Sequence, residues 1–470
     1  MKYDYDIICI GLGPAGMAVS AMGAEMGLNI CAVEKDKIGG ECMNVGCIPS
    51  KALLRISKLK YSAEKLETEG LLEEGLTKVK TPFSNIAESL KYVLDKKTMK
   101  MFDKVTLLNS DESASFIDPH TVKVGDKTIT GTKIFIATGT QPMIPPIPGI
   151  SDVEILDNTN IFNLSKIPES MTIVGGGAIG CEMAQAFSRL GTKCTIVQMD
   201  DFLVPVGDRE AGELLEEILK KENVDVYNSR KITKIEKDGD YSVLHTDDGL
   251  SIKSEKLLMA AGRRIALEGL DLEKAGVKYS RRGIEVDSKF RTSKKHIYAV
   301  GDCNGGIMLS HAAMHEGMIA IMNAVSPYSS FKFNNYVVPW TVFTEPQISY
   351  VGMRESELIK KGIKYETHSV KYGDYGAAIA EFVGEGFVKV FTNSRGKVFG
   401  VSIIGEGSGE MINEWALIIQ KKIKLSSVLF LAHSFPTMGF LSKRIAEVWV
   451  MKKMKSSFIQ NLCKFSFRRG

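Results

Sequence analysis

The stretch Asp6-Ile-Ile-Cys-Ile-Gly-Leu-Gly-Pro-Ala-Gly16 decides the fold of this chain. Its first five residues are an apolar run of strand length, and the Ala- and Met-rich segment after the glycines is typical of a helix. A second apolar run, Asn29 to Val33, ends at Glu34. A strand, a glycine loop, a helix, a second strand and a terminal acid within about 30 residues indicate a dinucleotide-binding unit.

The glycines of this loop have separate predicted roles. Gly11 permits the tight turn, Gly13 lets the backbone approach a pyrophosphate, and Gly16 allows close packing of helix and strand. Glu34 is expected to accept hydrogen bonds from the ribose hydroxyls. The predicted contacts of this nucleotide also include neighbouring residues of the same segments: Pro14, Ala15 and Lys35.

The same pattern recurs later in the chain, so two nucleotides are expected. The strand Met171 to Val174 leads into Gly175-Gly-Gly-Ala-Ile-Gly180, and a helix through Leu190 precedes the strand Lys193 to Gln198. Gln198 takes in this unit the place of Glu34, since each lies 18 residues after the last glycine of its loop. The predicted contacts of the second nucleotide are Gly175, Gly177, Gly180 and Gln198.

Length and composition restrict the function class. At about 150 residues per domain, 470 residues indicate three domains. The formal net charge of +4 is too weak to indicate nucleic-acid binding, and no apolar run approaches the ~18 residues of a membrane span. Eight cysteines without a secretory signal favour a cytosolic protein over a disulfide scaffold. Small molecules are therefore the expected partners.

Two cysteines follow the first nucleotide unit, in Gly39-Gly-Glu-Cys-Met-Asn-Val-Gly-Cys-Ile-Pro-Ser-Lys51. The spacing of Cys42 and Cys47 does not match a zinc knuckle, and no companion pair lies nearby. If a helix starts here, the two sulfurs can lie close enough for a disulfide, and the helix dipole lowers a thiol pKa. The pattern favours a redox pair over two buried structural cysteines.

No metal site is expected. His311 and His315 have helical spacing, but no third ligand accompanies them.

The order of these motifs resembles the flavin-dependent pyridine nucleotide-disulfide oxidoreductases, which include dihydrolipoamide dehydrogenase, glutathione reductase and mercuric reductase. The resemblance spans nearly the whole chain. It implies FAD in the first nucleotide unit, NADH or NADPH in the second, and a homodimer formed through the C-terminal domain. It rests on six segments: Gly11 to Gly16, Gly39 to Lys51, Ala137 to Gly139, Gly175 to Gly180, Gly262-Arg263 and Tyr298 to Asp302.

The expected fold is α/β, with two Rossmann-like FAD and NAD(P) domains and a C-terminal α+β dimerisation domain. A proline-rich stretch, residues 141–149, and a polar segment near residues 283–290 mark the predicted boundaries. The FAD domain is expected in two parts, 1–148 and 285–334, around an NAD(P) domain at 149–284. The interface domain, 335–470, ends in a basic tail; a solvated segment is favoured there over a membrane-surface anchor, and no role is assigned to it.

The resemblance implies roles for individual residues. Cys47 is implied to lie beside the flavin and Cys42 to exchange with substrate. Lys51 is implied to lie near flavin N5, paired with Glu182, where a cation stabilises the charge of the reduced flavin. Asp302 is implied to accept from the ribityl chain. The other cofactor contacts that it implies are Gly40, Thr138, Gly139, Gly262, Arg263 and Gly301.

The chain departs from dihydrolipoamide and glutathione enzymes near its C-terminus. Those enzymes carry a His-Pro-Thr segment with a Glu five residues after the His, and the imidazole acts as acid and base. Aligning Pro436 and Thr437 places Phe435 at the His and Phe440 at the Glu. Phenylalanine cannot transfer a proton, so His433 is the remaining candidate base, against the alternative of a structural histidine.

The predicted activity is electron transfer from NAD(P)H through FAD and the Cys42–Cys47 disulfide to an acceptor. An aromatic residue at position 435 is similar to mercuric reductase, although the tail holds only Cys463 where those enzymes have two adjacent cysteines. A metal-ion or quinone reductase is therefore favoured. The alternatives are a dihydrolipoamide dehydrogenase with an atypical base and a non-catalytic FAD-binding redox sensor.

Overall fold

The computed structural model describes residues 2–73, 82–93, 99–109, 113–326, 328, 331–333 and 336–468. The strands within these residues are β1 (Tyr5–Ile10), β2 (Ile30–Glu34), β3 (Thr106–Asn109), β4 (Ala114–Asp118), β5 (Thr121–Val124), β6 (Lys127–Ile136), β7 (Thr140–Pro142), β8 (Ile155–Leu156), β9 (Ser170–Val174), β10 (Lys193–Val197), β11 (Val224–Tyr227), β12 (Ile232–Asp238), β13 (Tyr241–Thr246), β14 (Ser251–Ser254), β15 (Lys256–Met259), β16 (Arg263–Ile265), β17 (Tyr279–Ser280), β18 (Gly283–Ile284), β19 (Ile297–Ala299), β20 (Trp340–Val342), β21 (Gln347–Gly352), β22 (Glu366–Lys371), β23 (Phe387–Thr392) and β24 (Val398–Gly405). The helices are α1 (Pro14–Glu25), α2 (Gly40–Asn44), α3 (Cys47–Thr68), α4 (Phe83–Val93), α5 (Ala178–Arg189), α6 (Arg209–Lys221), α7 (Ser310–Val325), α8 (Glu355–Lys360), α9 (Gly376–Ala380), α10 (Ser408–Gln420), α11 (Leu425–Phe430), α12 (Phe440–Met454) and α13 (Ser457–Phe467).

The chain forms two compact units. The first comprises Met1–Gly175, Ala186–Cys194 and Ile232–Asn335, and the second comprises Gly176–Gln185, Thr195–Lys231 and Tyr336–Gly470. The second glycine unit contributes residues to both. The predicted domain boundaries after residues 148 and 284 stay predictions, and the one after residue 334 lies outside the described residues.

A seven-stranded sheet organises the first unit, in the order β3-β2-β1-β6-β5-β4 with β19 on β6. The strands β1, β2, β3, β6 and β19 are parallel, whereas β4 and β5 continue the sheet by antiparallel pairing. All five residues of β2 are buried, which explains its continuous apolar sequence. The parallel strands end at one edge, where the loops after β1 and β6 meet.

Small residues let α1 and α7 pack closely in this unit. A side chain at Gly317 on α7 would collide with the backbone of Ala15 on α1. Gly23 is tightly enclosed by Ile30 and further apolar side chains. The glycines of these two helices are therefore needed for the packing that positions the loop after β1.

The first unit also contains part of the second nucleotide-binding pattern. β15 pairs in parallel with both β8 and β9, and β12, β13 and β14 form an antiparallel sheet. The C-terminal part of the second unit is built differently, on the antiparallel sheet β20-β21-β24-β23-β22. Buried Trp415 of α10 and buried Ile445 of α12 belong to the apolar core of this sheet.

These elements confirm the predicted α/β fold. The helix after the first glycine loop, the strand ending at Glu34 and the C-terminal α+β arrangement all occur as expected. The basic tail, to which no structure was assigned from sequence, is helical as α13. No helix in the described part of the chain is long and apolar enough to span a membrane.

Candidate active site

The first glycine loop connects β1 to α1. Gly11 has φ +96, and a side chain there would collide with the backbone of Ala137. A Cβ on Gly13, the residue that caps α1, would meet nothing within 4 Å. Pro14 follows at the start of the helix, where its missing N–H costs no hydrogen bond. The loop backbone is thus open at the N-terminus of α1, as a pyrophosphate site requires.

Glu34 fixes this loop from the end of β2. Its Oε2 accepts a hydrogen bond from the Leu12 N–H at 2.7 Å, and Oε1 accepts from the Asp36 N–H at 3.0 Å. The side chain is buried. Each carboxylate oxygen keeps further acceptor capacity for ribose hydroxyls, so the predicted role of Glu34 fits this geometry. Lys35, the next residue, is exposed.

Polar groups after β6 and β19 fit a second part of the same ligand. The buried Oγ1 of Thr138 has no hydrogen-bond partner among the described residues. Thr140 Oγ1 donates to Asp302 Oδ2 at 3.0 Å and accepts from Arg263 Nε at 2.6 Å. Burial raises the pKa of Asp302. A hydroxyl-rich ribityl chain would supply the hydrogen bond that Thr138 lacks and could donate a further one to Asp302.

A carboxylate that the sequence analysis missed supports the loop of Asp302. Glu316 Oε2 accepts from the Gly301 N–H and from Asn304 Nδ2, both at 2.7 Å. Because Glu316 is buried, its pKa is raised to about 7. An acid within the apolar and small residues of α7 is the sequence signal that could have indicated it.

The cysteine pair lies where the short helix α2 meets the start of the long helix α3. Cys42 belongs to α2, and Cys47 is the first residue of α3, behind the capping residue Gly46. Their Sγ atoms are 2.8 Å apart, so a disulfide can form with little movement. Both side chains are partly exposed. The structure therefore brings together the two cysteines that the sequence predicts as a redox pair.

The two thiols have opposite pKa shifts. The hydrogen bond donated by Cys42, the Ser310 hydroxyl and the positive charge of Lys51 lower the pKa of Cys47 to about 6. The donated hydrogen bond and burial raise the pKa of Cys42. Ser310 Oγ lies 3.3 Å from Cys47 Sγ. Cys47 is thus the thiolate of the pair at neutral pH, and Cys42 keeps its proton.

Arg263 connects α2, the helix that carries Cys42, to the Thr140–Asp302 pair. Its Nη2 forms an ion pair with Glu41, the residue before Cys42, and it also donates to the Thr140 carbonyl at 3.1 Å. Asn158 Nδ2 donates to the same Glu41 carboxylate at 3.2 Å. The sequence predicted Arg263 but not Glu41, Thr140 or Asn158, because these contacts join distant segments.

Four other predicted residues of the first unit are glycines with positive φ. A Cβ on Gly40 would collide with Gly13, so the start of α2 lies against the first glycine loop. Gly139 and Gly262 have positive φ, and Gly262 follows β15. The first residue of the second glycine loop, Gly175, has φ +113 and lies against the Ala260 carbonyl. The roles of these residues as cofactor contacts stay predictions.

The second unit holds the predicted determinants of the nicotinamide nucleotide. Gln198 follows β10 and is buried, with its amide against Gly176. Its Nε2 donates to Asn228 Oδ1 at 2.7 Å, and Asn228 Nδ2 donates to Glu216 Oε2 at 2.5 Å. A Cβ on Gly177 would meet nothing within 4 Å, which leaves this loop open. Gly180 is buried at the start of α5.

Glu182 also belongs to the second unit. It is buried on α5, and its Oε1 accepts from the Phe343 N–H at 2.9 Å. Lys51 lies on α3 of the first unit, where its charge acts on Cys47. The pairing of Lys51 with Glu182 stays a prediction.

The C-terminal segment of the second unit exposes an aromatic side chain at the position of the expected base. Phe435 is 70% exposed, and its ring meets Phe440 edge-on at 5.4 Å. His433 has Nε2 3.0 Å from Glu414 Oε1 and Nδ1 3.3 Å from the Leu431 carbonyl oxygen. Both nitrogens of His433 thus face groups of its own chain. This geometry favours the structural interpretation of His433 over the catalytic one.

The described residues contain no group of three or more His, Cys, Asp or Glu side chains that could hold a metal ion.

Comparison with known proteins identifies the family. The model of the pyridine nucleotide-disulphide oxidoreductases matches residues 5–317, and that of their dimerisation domain matches residues 338–443. The chain belongs to this family. It is an NAD(P)H-dependent flavoprotein disulfide oxidoreductase that uses FAD, as the sequence analysis predicted. The dimerisation domain supports the predicted homodimer.

The names of individual relatives indicate different substrates. Dihydrolipoyl dehydrogenase of Thermus scotoductus is 34% identical over 449 residues, 93% of this chain and 95% of that protein. Mercuric reductase of Bacillus cereus is 30% identical over 431 residues, 89% of this chain and 67% of that protein. The HOCl-induced flavoprotein disulfide reductase RclA of Escherichia coli, solved as a Cu(II) complex, has a TM-score of 0.84 at 25% identity, over 94% of this chain and 99% of that one.

FAD is the group through which such an oxidoreductase takes a hydride from the nicotinamide and passes two electrons to a disulfide. The residues of this chain fit it. The open loop around Gly13 would hold the pyrophosphate, Glu34 the ribose, and Thr138 with Asp302 the ribityl chain. Lys51 provides positive charge beside Cys47, and Cys47 provides the thiolate.

Proposed function

We propose that this protein uses NAD(P)H to reduce a metal ion or a quinone through FAD and the Cys42–Cys47 pair, rather than to interconvert dihydrolipoamide and lipoamide. The nicotinamide nucleotide loses a hydride, the disulfide gains the two electrons as a thiol and a thiolate, and the acceptor then takes them while the disulfide re-forms. Cys47 exchanges electrons on the flavin side, and Cys42 contacts the acceptor.

The exposed side chain of Phe435 is the observation that supports this choice. Oxidation of a dithiol requires a base that removes its proton, and phenylalanine has no group that can do so. The contacts of His433 support a structural role rather than a replacement for this base, since both of its ring nitrogens face groups of its own chain. A metal ion can accept electrons from a thiolate without a proton acceptor at position 435.

Two relatives support an acceptor of this class. One is named a mercuric reductase, and the other was solved as a Cu(II) complex. Their similarity extends over most of this chain, which supports a metal ion as the acceptor here.

Dihydrolipoamide oxidation is the second candidate, and overall sequence identity favours it. Several relatives at 31–34% identity are dihydrolipoyl dehydrogenases. The contact between His433 and Glu414 would then serve as the histidine–carboxylate pair of an atypical base. The third interpretation, a non-catalytic sensor, loses its basis because the family membership shows an enzyme.

An acceptor panel with the full-length holoprotein tests the proposal. NADH- and NADPH-dependent reduction of Hg(II), Cu(II) and menadione is measured beside NAD⁺-dependent oxidation of dihydrolipoamide. We expect turnover with at least one of the first three acceptors. We expect dihydrolipoamide oxidation about 10²- to 10⁴-fold below that of a relative with the histidine. The double variant Phe435→His with Phe440→Glu should recover part of this deficit.

Two substitutions at His433 separate the candidates. His433→Ala removes the ring, whereas His433→Gln keeps a donor toward Glu414 but cannot act as a base. We expect little effect of either change on metal or quinone reduction. Robust native oxidation of dihydrolipoamide contradicts the proposal, and its loss in both variants would establish His433 as the base. A cytosolic location stays a prediction.

A further inference from the structure

The C-terminal helix α13, Ser457–Phe467, exposes a row of large apolar side chains. Phe458 is 74% exposed, Leu462 53% and Phe465 54%. They are spaced four and three residues apart, so they lie on one face of the helix. A helix of 11 residues with such a face is not stabilised by its own sequence in water, and apolar surface of this kind marks an interaction site.

The side of α13 next to this apolar face carries polar and basic residues. Asn461, Lys464 and Arg468 are spaced three and four residues apart, so they share one side of the helix, about a quarter turn round from Phe458 and Leu462. Residues 451–470 contain six basic side chains and no acid: Lys452, Lys453, Lys455, Lys464, Arg468 and Arg469. Two of them, Lys452 and Lys453, form ion pairs with Glu366. The segment around α13 thus combines an exposed apolar face with a surplus of positive charge.

We propose that α13 docks this protein on the surface of a membrane that contains anionic phospholipid. The apolar face enters the boundary between headgroups and acyl chains, and the basic side chains meet the phosphate groups. The helix is too short to span a bilayer, so it lies in the plane of the surface. This inference is independent of which acceptor the enzyme reduces.

The charge of the segment argues for lipid rather than for a second copy of α13. Two such helices in a symmetric contact would bring basic side chains together without any acid of the same segment to balance them. The match to the family's dimerisation domain also ends at residue 443, before α13 begins at Ser457. The apolar face is therefore separate in sequence from the part of the chain that the family uses to dimerise.

Vesicle sedimentation with the full-length holoprotein tests this proposal. Native protein, Phe458→Ser with Leu462→Ser, and Gln460→Ser with Asn461→Ser are mixed with vesicles of phosphatidylcholine alone or with one quarter phosphatidylglycerol. The last variant is the matched control, because it changes two polar residues of the same helix. Flavin absorbance and NAD(P)H oxidation confirm that every variant is folded.

We expect native protein and the polar-face control to bind vesicles that contain phosphatidylglycerol at least tenfold more tightly than phosphatidylcholine vesicles. The apolar-face variant should lose at least tenfold in binding. Native protein that stays in solution with both vesicle types overturns the proposal, as does equal binding of all three proteins. Light scattering provides a further test. If native protein and the polar-face control assemble beyond a dimer without binding vesicles, and the apolar-face variant does not, a second copy of the chain covers α13 and the proposal is overturned.

Discussion

Replacing Ser310 with alanine should raise the pKa of Cys47. Ser310 begins α7, and its hydroxyl lies 3.3 Å from Cys47 Sγ. A thiolate has no proton to donate, so the hydroxyl must donate to it, and this hydrogen bond stabilises only the charged form. Removing the hydroxyl therefore favours the neutral thiol.

The size of the shift follows from the hydrogen bond. A hydrogen bond to a charged group contributes about 1.5–3 kcal/mol, and one pKa unit corresponds to about 1.4 kcal/mol. Since Cys47 is partly exposed, the low end applies, about one unit. The native pKa of about 6 should rise to about 7 in Ser310→Ala. At pH 6.5 the thiolate fraction then falls from about three quarters to about one quarter.

The assay is the pH dependence of the long-wavelength absorbance that a thiolate beside the flavin produces after two-electron reduction. Ser50→Ala is the matched control, because Ser50 Oγ donates to the backbone carbonyl of Cys47 at 3.2 Å and not to its sulfur. We expect the midpoint to rise in Ser310→Ala and to stay within about 0.3 units in Ser50→Ala. An unchanged or lowered midpoint in Ser310→Ala would refute the reasoning.

Three further predictions concern the cysteines, the nucleotide donor and the buried carboxylate. Cys47→Ser should abolish the long-wavelength absorbance and Cys42→Ser should keep it; the reverse result would exchange their roles. NADH should be preferred or nearly equal, because Gln198, which is hydrogen-bonded through Asn228 to Glu216, offers an amide and no positive charge to a 2′-phosphate. An NADPH preference above about 100-fold in kcat/KM, roughly 2.7 kcal/mol, would contradict this. Glu316→Gln keeps an oxygen for both donors but cannot ionise. Burial raises the pKa of Glu316 to about 7, so the native protein loses stability as pH rises and the buried carboxyl must ionise. The free energy of unfolding of the variant should therefore gain up to about 3 kcal/mol relative to native between pH 5 and pH 8. An equal difference in apparent melting temperature between variant and native at both pH values would contradict this.

The parts of the site that follow from local sequence were predictable. The loop from Gly11 to Gly16 and the position of Cys47 at a helix start depend on residues that are neighbours in the chain. Hydrophobic periodicity and glycine spacing report such local geometry directly. Glu34 could also be predicted, because the strand that ends there belongs to the same dinucleotide-binding unit.

The partners that set the chemistry of the cysteines were not predictable in this way. Ser310 contacts Cys47 across 263 residues, and Arg263 contacts Glu41 across 222. No spacing rule relates such positions, because only the packing of the first unit brings them together. The helix in the tail was not predicted for another reason. Counting its charges indicated a solvated segment, whereas the spacing of Phe458 and Leu462 carries the helical signal.

The charge states of the two thiols relate the cysteine pair to the change at Phe435. Cys47 is the thiolate at neutral pH, and Cys42 keeps its proton until an acceptor arrives. A metal ion that binds Cys42 displaces this proton itself, and the partly exposed site lets the proton pass to water. A dithiol substrate must lose its own proton in order to attack, which requires a positioned base. Under the proposed function, the thiolate of Cys47 and the absence of an ionisable side chain at Phe435 suit electron transfer to a metal ion rather than to or from a dithiol.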